Sequence, residues 1–196
     1  MNLTEMRARV REDLQDIDSQ NYRWSDDEVD GAIDRVVMEY SLHTPLEKQD
    51  DIATTDGDTE LDISSLTGLL KVESVEFPIG YKPKYFQRTE YWAGQFYMED
   101  EGNGNDARVR WLKKHTLSAE STTIPAEHEE IIVLGATGYL AMSASAYTVD
   151  RASIAGRYGT IGYRAWGKER LDRYEKKLKA VSRTSKVIPH ELYTED

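Results

Sequence analysis

No cysteine occurs in the 196 residues, which excludes disulfides, thiolate nucleophiles and cysteine-ligated zinc together and leaves stability to burial or to neighbouring subunits. No apolar run approaches the roughly 20 residues a membrane span needs; the longest, Ile131 to Leu134, is far shorter. The opening Met1-Asn2-Leu3-Thr4-Glu5 lacks a signal peptide's basic-then-apolar order. A soluble protein made in the cytoplasm, with no membrane partner, is therefore expected. There is no G-x-S-x-G elbow, and His43, His115, His128 and His190 fall on separate elements without the one-turn spacing of a helical metal pair. Catalysis has no positive signal, and surface or satisfied histidines are the expectation.

What is present is charge of unequal distribution. The net charge is -11, yet residues 1–62 hold 18 acids against 6 bases, whereas 163–186 hold 9 bases against 3 acids. One end is acidic and the other basic, which suits head-to-tail contact between identical subunits as well as it suits two solvated faces.

The spacing of Leu3, Met6, Val10, Leu14 and Ile17 predicts a first helix over about 3–18. Ser25 with Glu28 three residues on forms a capping box, Trp24 and Val29 occupy staple positions, and Val29, Ile33, Val36, Val37 and Tyr40 give the buried face of a helix over 25–43 that stops before Pro45. From Asp51 the period changes. Asp56-Gly57-Asp58 turns the chain between the extended stretches 51–55 and 60–63, and Val72 to Phe77 alternates until Pro78 and Gly80. Residues 84–92 read as one strand with aromatics on both faces. Phe96 to Met98 and Ala107 to Leu112 flank Asp100 to Asp106, which predicts a hairpin with a long mobile tip that has no folding role and faces a partner or a channel.

Pro125 sets a third helix to about 147, with Glu127, Glu129 and Glu130 in its first turns and a body of Gly, Ala and Ser that permits close approach by another helix. After a loose segment through Gly156, Gly159 and Gly162, a last helix over 163–182 repeats Trp166, Arg170 or Leu171, Tyr174, Leu178 and Val181. The remainder suits an extended arm. The fold class expected is thus α+β, mainly α: one domain over 1–186 with a helical bundle core, a β-rich insertion over about 51–115, and an extended C-terminal arm over 187–196.

Four patterns that suggest chemistry have plainer readings. Gly162 to Lys168 spells G-x-x-x-x-G-K, but Glu169 stands where Ser or Thr must meet magnesium and no strand precedes it. Asp56, Asp58, Glu60 and Asp62, or the loop 100–106, offer oxygens for calcium without the spacing of an EF-hand, so solvated turns are the better reading. No cofactor is expected. The basic face of Lys168, Arg170, Arg173, Lys176, Lys177, Lys179 and Arg183 is a rival signal for phosphate contact, making a DNA-binding accessory protein the alternative function. Tyr81, Tyr85, Tyr91, Trp92, Tyr97 and Trp111 exceed what a small one-faced sheet hides, so about half are expected at an interface.

Taken in order, Met6 to Leu14, Asn21-Tyr22-Arg23-Trp24-Ser25-Asp26-Asp27-Glu28-Val29-Asp30, Leu61 to Leu66, Val72 to Pro78, and Thr123-Ile124-Pro125 leading to Gly135-Ala136 resemble the head-to-tail adaptor, or head-completion, proteins of tailed bacteriophages. The resemblance runs from the N-terminus to about Ala146. It implies a structural, non-enzymatic virion protein of the neck, assembled in the host cytoplasm as a dodecameric ring beneath the portal. Its partners would be copies of itself, the portal protein, and a stopper, neck or tail-completion protein, with DNA passing through the lumen without sequence-specific binding. Val187, Ile188, Pro189, Leu192 and Tyr193 are then the expected portal-docking arm, and Tyr91, Trp92, Tyr97, Lys168, Arg170, Arg173 and Lys177 the expected inter-subunit or neck contacts.

Overall fold

The structure, a computed structural model, describes residues 1–92, 95–149 and 158–182. It is mixed α+β, with four helices and two antiparallel sheets among the described residues. The first helix, α1 (Leu3–Asp13), opens on a capping box in which Asn2 accepts from the Glu5 amide and the Glu5 carboxylate accepts from the Asn2 amide. It ends earlier than the apolar period suggests. Leu14 is the C-cap, Gln15 takes a φ of 56°, and Ile17 is 70 % exposed. Past the helix end, the Asp16 carboxylate accepts from the Arg11 guanidinium within α1 at 2.6 Å and from the Arg23 amide in the following loop at 2.8 Å, which holds the chain out of the helical path.

The second helix, α2 (Asp26–His43), starts at Ser25 with both halves of the capping box formed, and buries Val29, Ile33, Val36, Val37 and Tyr40 as the sequence predicts. The chain then enters strand β1 (Leu46–Ala53), five residues before the change of period at Asp51. There follow β2 (Glu60–Leu61), β3 (Leu69–Glu76), β4 (Phe86–Gln87), β5 (Thr89–Trp92), β6 (Gln95–Met98) and β7 (Asp106–Lys113). One sheet has the order β1-β7-β3-β4 and the other β2-β6-β5.

That topology corrects two expectations. The stretch 84–92 is two strands, because β4 pairs with β3 and β5 with β6, so the chain changes sheets at Arg88. The expected turn at Gly57 (φ 75°) is present, and the stretches it joins, 51–53 and 60–61, pair with β7 and β6. And β6 and β7 form no hairpin, since they lie in different sheets. The connection between them is not a free tip. The Gly102 amide donates to the Asp58 carbonyl at 2.8 Å, the Gly57 amide to the Gly102 carbonyl at 2.9 Å, and the Thr54 amide to the Asn105 carbonyl at 3.0 Å. A polar loop of this length therefore does have a folding role: it closes the end of β1 by satisfying backbone groups that no strand reaches. Gly102 is required there, because a Cβ would stand 2.3 Å from the Thr55 carbonyl oxygen. Gly102→Ala is expected to cost about 1–2 kcal/mol, read as a lower urea midpoint; an unchanged midpoint would show the loop to be loosely held.

After a short 3-10 turn (Ala126–His128) come α3 (Glu129–Val149) and α4 (Tyr158–Val181), the last elements among the described residues. The last helix begins before residue 163, and Gly159 and Gly162 lie inside it rather than in a loose segment. The small residues of α3 do permit close approach: a Cβ on Gly138 would meet the Leu171 side chain at 2.8 Å, and one on Gly167 would meet the Ala141 Cβ at 3.0 Å. The four helices share one apolar cluster that includes Met6, Val10, Val36, Leu140 and Tyr174. A second cluster, with Leu61, Val75, Phe96, Val109 and Trp111, lies between the sheets' strands. Among the described residues no helix is long and apolar enough to cross a membrane.

Candidate interaction surfaces

Strand alternation places neighbouring side chains on opposite faces, so a strand with every residue exposed has both faces uncovered. β5 is such a strand: Thr89, Glu90, Tyr91 and Trp92 are all exposed, with Tyr91 at 65 % and Trp92 at 71 %. It is also the edge of its sheet. Tyr81 and Tyr85, rings 5.8 Å apart and edge-on, are exposed as well, and so is Phe86. Tyr97 is half-buried, and its hydroxyl donates to Gln95 at 2.6 Å. Trp111 alone of the six aromatics singled out from the sequence is core, its indole N–H donating to Asp50 at 2.6 Å. Four of six stand in water, a fraction that burial within this chain does not explain.

The basic residues of α4 are less available than their sequence suggests. Arg170 pairs with Asp13 at 2.8 Å and lies over the Trp166 ring, Arg173 pairs with Glu169 at 2.6 Å, and Lys177 pairs with Glu130 at 2.7 Å. The hydrogen bond from Lys177 holds the Glu130 carboxyl below the usual glutamate range. Lys168 alone of the four named cations has no ion pair among the described residues. Residues Gly162 to Lys168 are helical, which disposes of a phosphate loop. The carboxylates of Asp58 and Asp62 accept from the amides of Glu60 and Ser64 two residues on, so they cap their own turns. Val187, Ile188, Pro189, Leu192 and Tyr193 lie outside the described residues.

Helix α2 offers a further surface. Met38 and Leu42, one turn apart, are 39 % and 63 % exposed, and Asp34 continues the stripe one turn earlier. The sequence reading did not single them out; the signal was there, as two large apolar residues off the buried face.

Three polar networks hold these surfaces in place, and sequence alone did not reveal them. Buried Arg11 binds Asp16, the Trp24 carbonyl at 2.9 Å and Asp26 at 2.7 Å, and its guanidinium covers the Tyr22 ring at 3.6 Å. Glu39 accepts from both phenols, Tyr139 at 2.9 Å and Tyr174 at 3.0 Å, and from Arg35 at 3.1 Å, tying α2 to α3 and α4. Burial first, and the neighbouring carboxylate second, push both phenols above the ordinary tyrosine range. Buried His115 lies where the chain crosses between helices and sheets: Nε2 is 2.9 Å from the Thr44 carbonyl, an acceptor for its N–H, and Nδ1 is 3.0 Å from the Thr123 hydroxyl, which can donate to it. Desolvation lowers its pKa below the usual imidazole value. It is a satisfied structural histidine.

Beside the aromatic surface, the buried Glu76 carboxylate accepts from Lys84 at 2.8 Å, and this bond, more than any other interaction, holds its pKa below the usual value. A depressed folded pKa means the pair stabilises fully above the unfolded glutamate pKa, about 4.3, and is lost as pH falls through the folded value. Between about pH 3 and 6, Glu76→Gln is expected to flatten the acid limb of Tm against pH. An identical acid limb in the variant would remove Glu76 from the titrating groups.

A family model described as SU10 adaptor protein matches residues 1–183. No curated protein matches the chain.

Proposed function

Because this chain belongs to the SU10 adaptor protein family, a phage head-to-tail adaptor family, we propose that it forms a ring, dodecameric in the simplest case, under the portal, joining the DNA-filled head to the neck or tail. The role is structural rather than catalytic. The single observation that carries the reading beyond family membership is the edge strand β5, whose Tyr91 and Trp92 stand exposed on opposite faces of the sheet. Large aromatics with a polar handle favour protein interfaces, and an open strand edge offers backbone donors and acceptors to a neighbour.

In this reading residues 1–186 act as one adaptor domain. Tyr91, Trp92 and Tyr97 meet a neighbouring subunit or the neck protein, with Lys168 as the cation left for an intermolecular partner. Arg170, Arg173 and Lys177 contribute only if their present ion pairs are exchanged at the interface. The same pairs weigh against a DNA-binding role for α4, since a cation already neutralised releases fewer counterions from a phosphate backbone. The acidic residues of 1–62 suit a lumen that lets DNA pass without adhering. Val187, Ile188, Pro189, Leu192 and Tyr193 form the arm that docks on the portal, their apolar side chains supplying the contact area.

Negative-stain imaging of the purified protein, alone and mixed with the portal protein of the same phage, tests the reading. Rings or density capping the portal are expected; bare portals beside a monomeric chain would refute it. Truncation after Arg183 is expected to abolish portal capture, and undiminished capture would remove the arm from the interface.

A further inference from the structure

The outer face of α2 runs through Asp27, Gly31, Asp34, Met38 and Leu42, all exposed, at the three- and four-residue spacing that stacks side chains on one side of a helix. Glycine in the middle of a helix costs stability. Gly135, Gly138 and Gly167 are each explained by a neighbour that a Cβ would strike, Val36 and Leu171 at 2.8 Å and Ala141 at 3.0 Å, but around Gly31 there is open space. A bare position beside two exposed apolar side chains suits a helix that approaches from outside the chain. The acids of the stripe are uncompensated as well. Asp26 and Asp30 take up Arg7 and Arg11, whereas Asp27 and Asp34 form no ion pair among the described residues.

Helix α4 presents a face of the opposite sign. Ala165, Lys168, Asp172 and Lys176 are exposed along one side of it. Lys168 and Lys176 form no ion pair among the described residues, while Arg170, Arg173, Lys177 and Lys179 are taken by Asp13, Glu169, Glu130 and Glu175. The two faces also match in spacing. At about 1.5 Å per residue, Asp27 to Asp34 spans about 10.5 Å and Lys176 to Lys168 about 12 Å, while Asp27 to Met38 and Lys176 to Ala165 each span about 16.5 Å. Laid antiparallel, Lys176 meets Asp27, Asp172 comes level with Gly31, Lys168 meets Asp34, and Ala165 meets Met38. In parallel order, with Lys168 on Asp27, Met38 would fall on Lys179 instead.

We propose that the outer face of α2 in one copy packs antiparallel on the outer face of α4 in the next, with Asp34 to Lys168 and Asp27 to Lys176 as the ion pairs between subunits and Gly31 leaving room for close approach. The inference rests on the ring reading and deepens it. Because the contact joins two different faces, each copy keeps one α2 face and one α4 face for its two neighbours, as a closed ring requires.

The chain has no cysteine, so Gly31→Cys and Asp172→Cys each carry a single thiol and leave both ion pairs in place. The two full-length variants, one of them isotopically labelled so that the three possible dimers differ in mass, are mixed equally on the portal protein of the same phage and treated with a short bismaleimide. The dimer joining position 31 to position 172 is expected to predominate over both like-with-like dimers. In chains that otherwise keep the natural sequence, Asp34→Lys and Lys168→Asp are each expected to lower capture on the portal by about tenfold or more. Their combination is expected to restore capture, and Lys176→Asp in place of Lys168→Asp is not. Equal yields of the three dimers, single charge variants that assemble as the wild type does, a double variant as defective as the singles, or rescue by Lys176→Asp each overturns the proposal, while portals capped by the wild type still uphold the ring. Portals left bare by the wild-type chain would overturn the ring reading and this contact with it.

Discussion

Replacing Arg11 by alanine is expected to lower the unfolding free energy by about 3–5 kcal/mol, the range for removing one partner of a buried pair. Asp16 is buried with it, and its carboxylate also accepts the Arg23 amide at 2.8 Å, so the charge left behind has no cation and little water. The guanidinium simultaneously holds the Trp24 carbonyl and Asp26. Its loss therefore reaches the loop between α1 and α2 and the start of α2 together. Arg9 is the internal control: exposed, paired only with Glu12 at 3.0 Å one turn on, it should cost no more than about 0.5 kcal/mol as alanine. Urea unfolding of the two variants decides the matter. If Arg9→Ala and Arg11→Ala shift the midpoint alike, the network contributes nothing beyond a surface pair. Asp16→Asn should recover part of the loss when combined with Arg11→Ala, since it removes the stranded charge.

Gly138→Leu is expected to destabilise by about 3 kcal/mol or to disrupt the packing of α3 on α4. A first added carbon would already meet Leu171 Cδ2 and Cγ at 2.8 Å and the Leu171 backbone nitrogen at 3.3 Å, and a backbone nitrogen cannot swing aside as a side chain can. The partner glycine on the other helix compounds this, because Gly167 sits 3.2 Å from the Gly138 carbonyl measured from where its own Cβ would stand. The contact is thus backbone against backbone. Gly31 is the contrast. It lies inside α2 with open space around it, so Gly31→Ala should stabilise by about 0.5–1 kcal/mol through helix propensity alone. Opposite signs at two helical glycines, measured by thermal or urea unfolding, would separate packing from propensity; the same sign at both would refute the close-approach account.

Legibility in the sequence followed the range of the interaction. α2 is readable to the residue because its cap, Ser25 with Glu28, and its buried stripe are set by neighbours three and four positions away. β3 is readable in part: Val72 to Glu76 is strand as the alternation suggests, but the strand opens at Leu69, carries two register shifts, and buries Val75 and Glu76 side by side. The end of α1 is not, since Ile17 continues the apolar period and only the partners of Asp16, seven residues on at Arg23, show why the helix stops at Asp13. Nor is the break at Arg88: Phe86 to Trp92 has strand chemistry throughout, and the change of sheet depends on whether β3 or β6 lies alongside. The role of loop 99–105 is not legible for a related reason, because a polar composition says nothing about which carbonyls it must satisfy.

The candidate surfaces divide in the same way. Aromatic excess in 81–111 is a property of composition, and it pointed to Tyr91 and Trp92 before any packing was known; that Trp111 is core whereas Tyr81 and Tyr85 are not is decided by which strand is an edge. The basic character of α4 is likewise plain in the sequence, but Asp13 and Glu130, from two other helices, neutralise Arg170 and Lys177.

By itself, the sequence determined the helices whose caps and stripes are local, the absence of thiol chemistry, the opposed charge of the two ends, and a family resemblance that the match over residues 1–183 bears out. Tertiary structure alone decided which strands are neighbours, which cations are free and which aromatics meet water. The reason is physical: a cap or an amphipathic face is satisfied within a turn or two of chain, whereas pairing, neutralisation and burial depend on groups that only the folded backbone brings together.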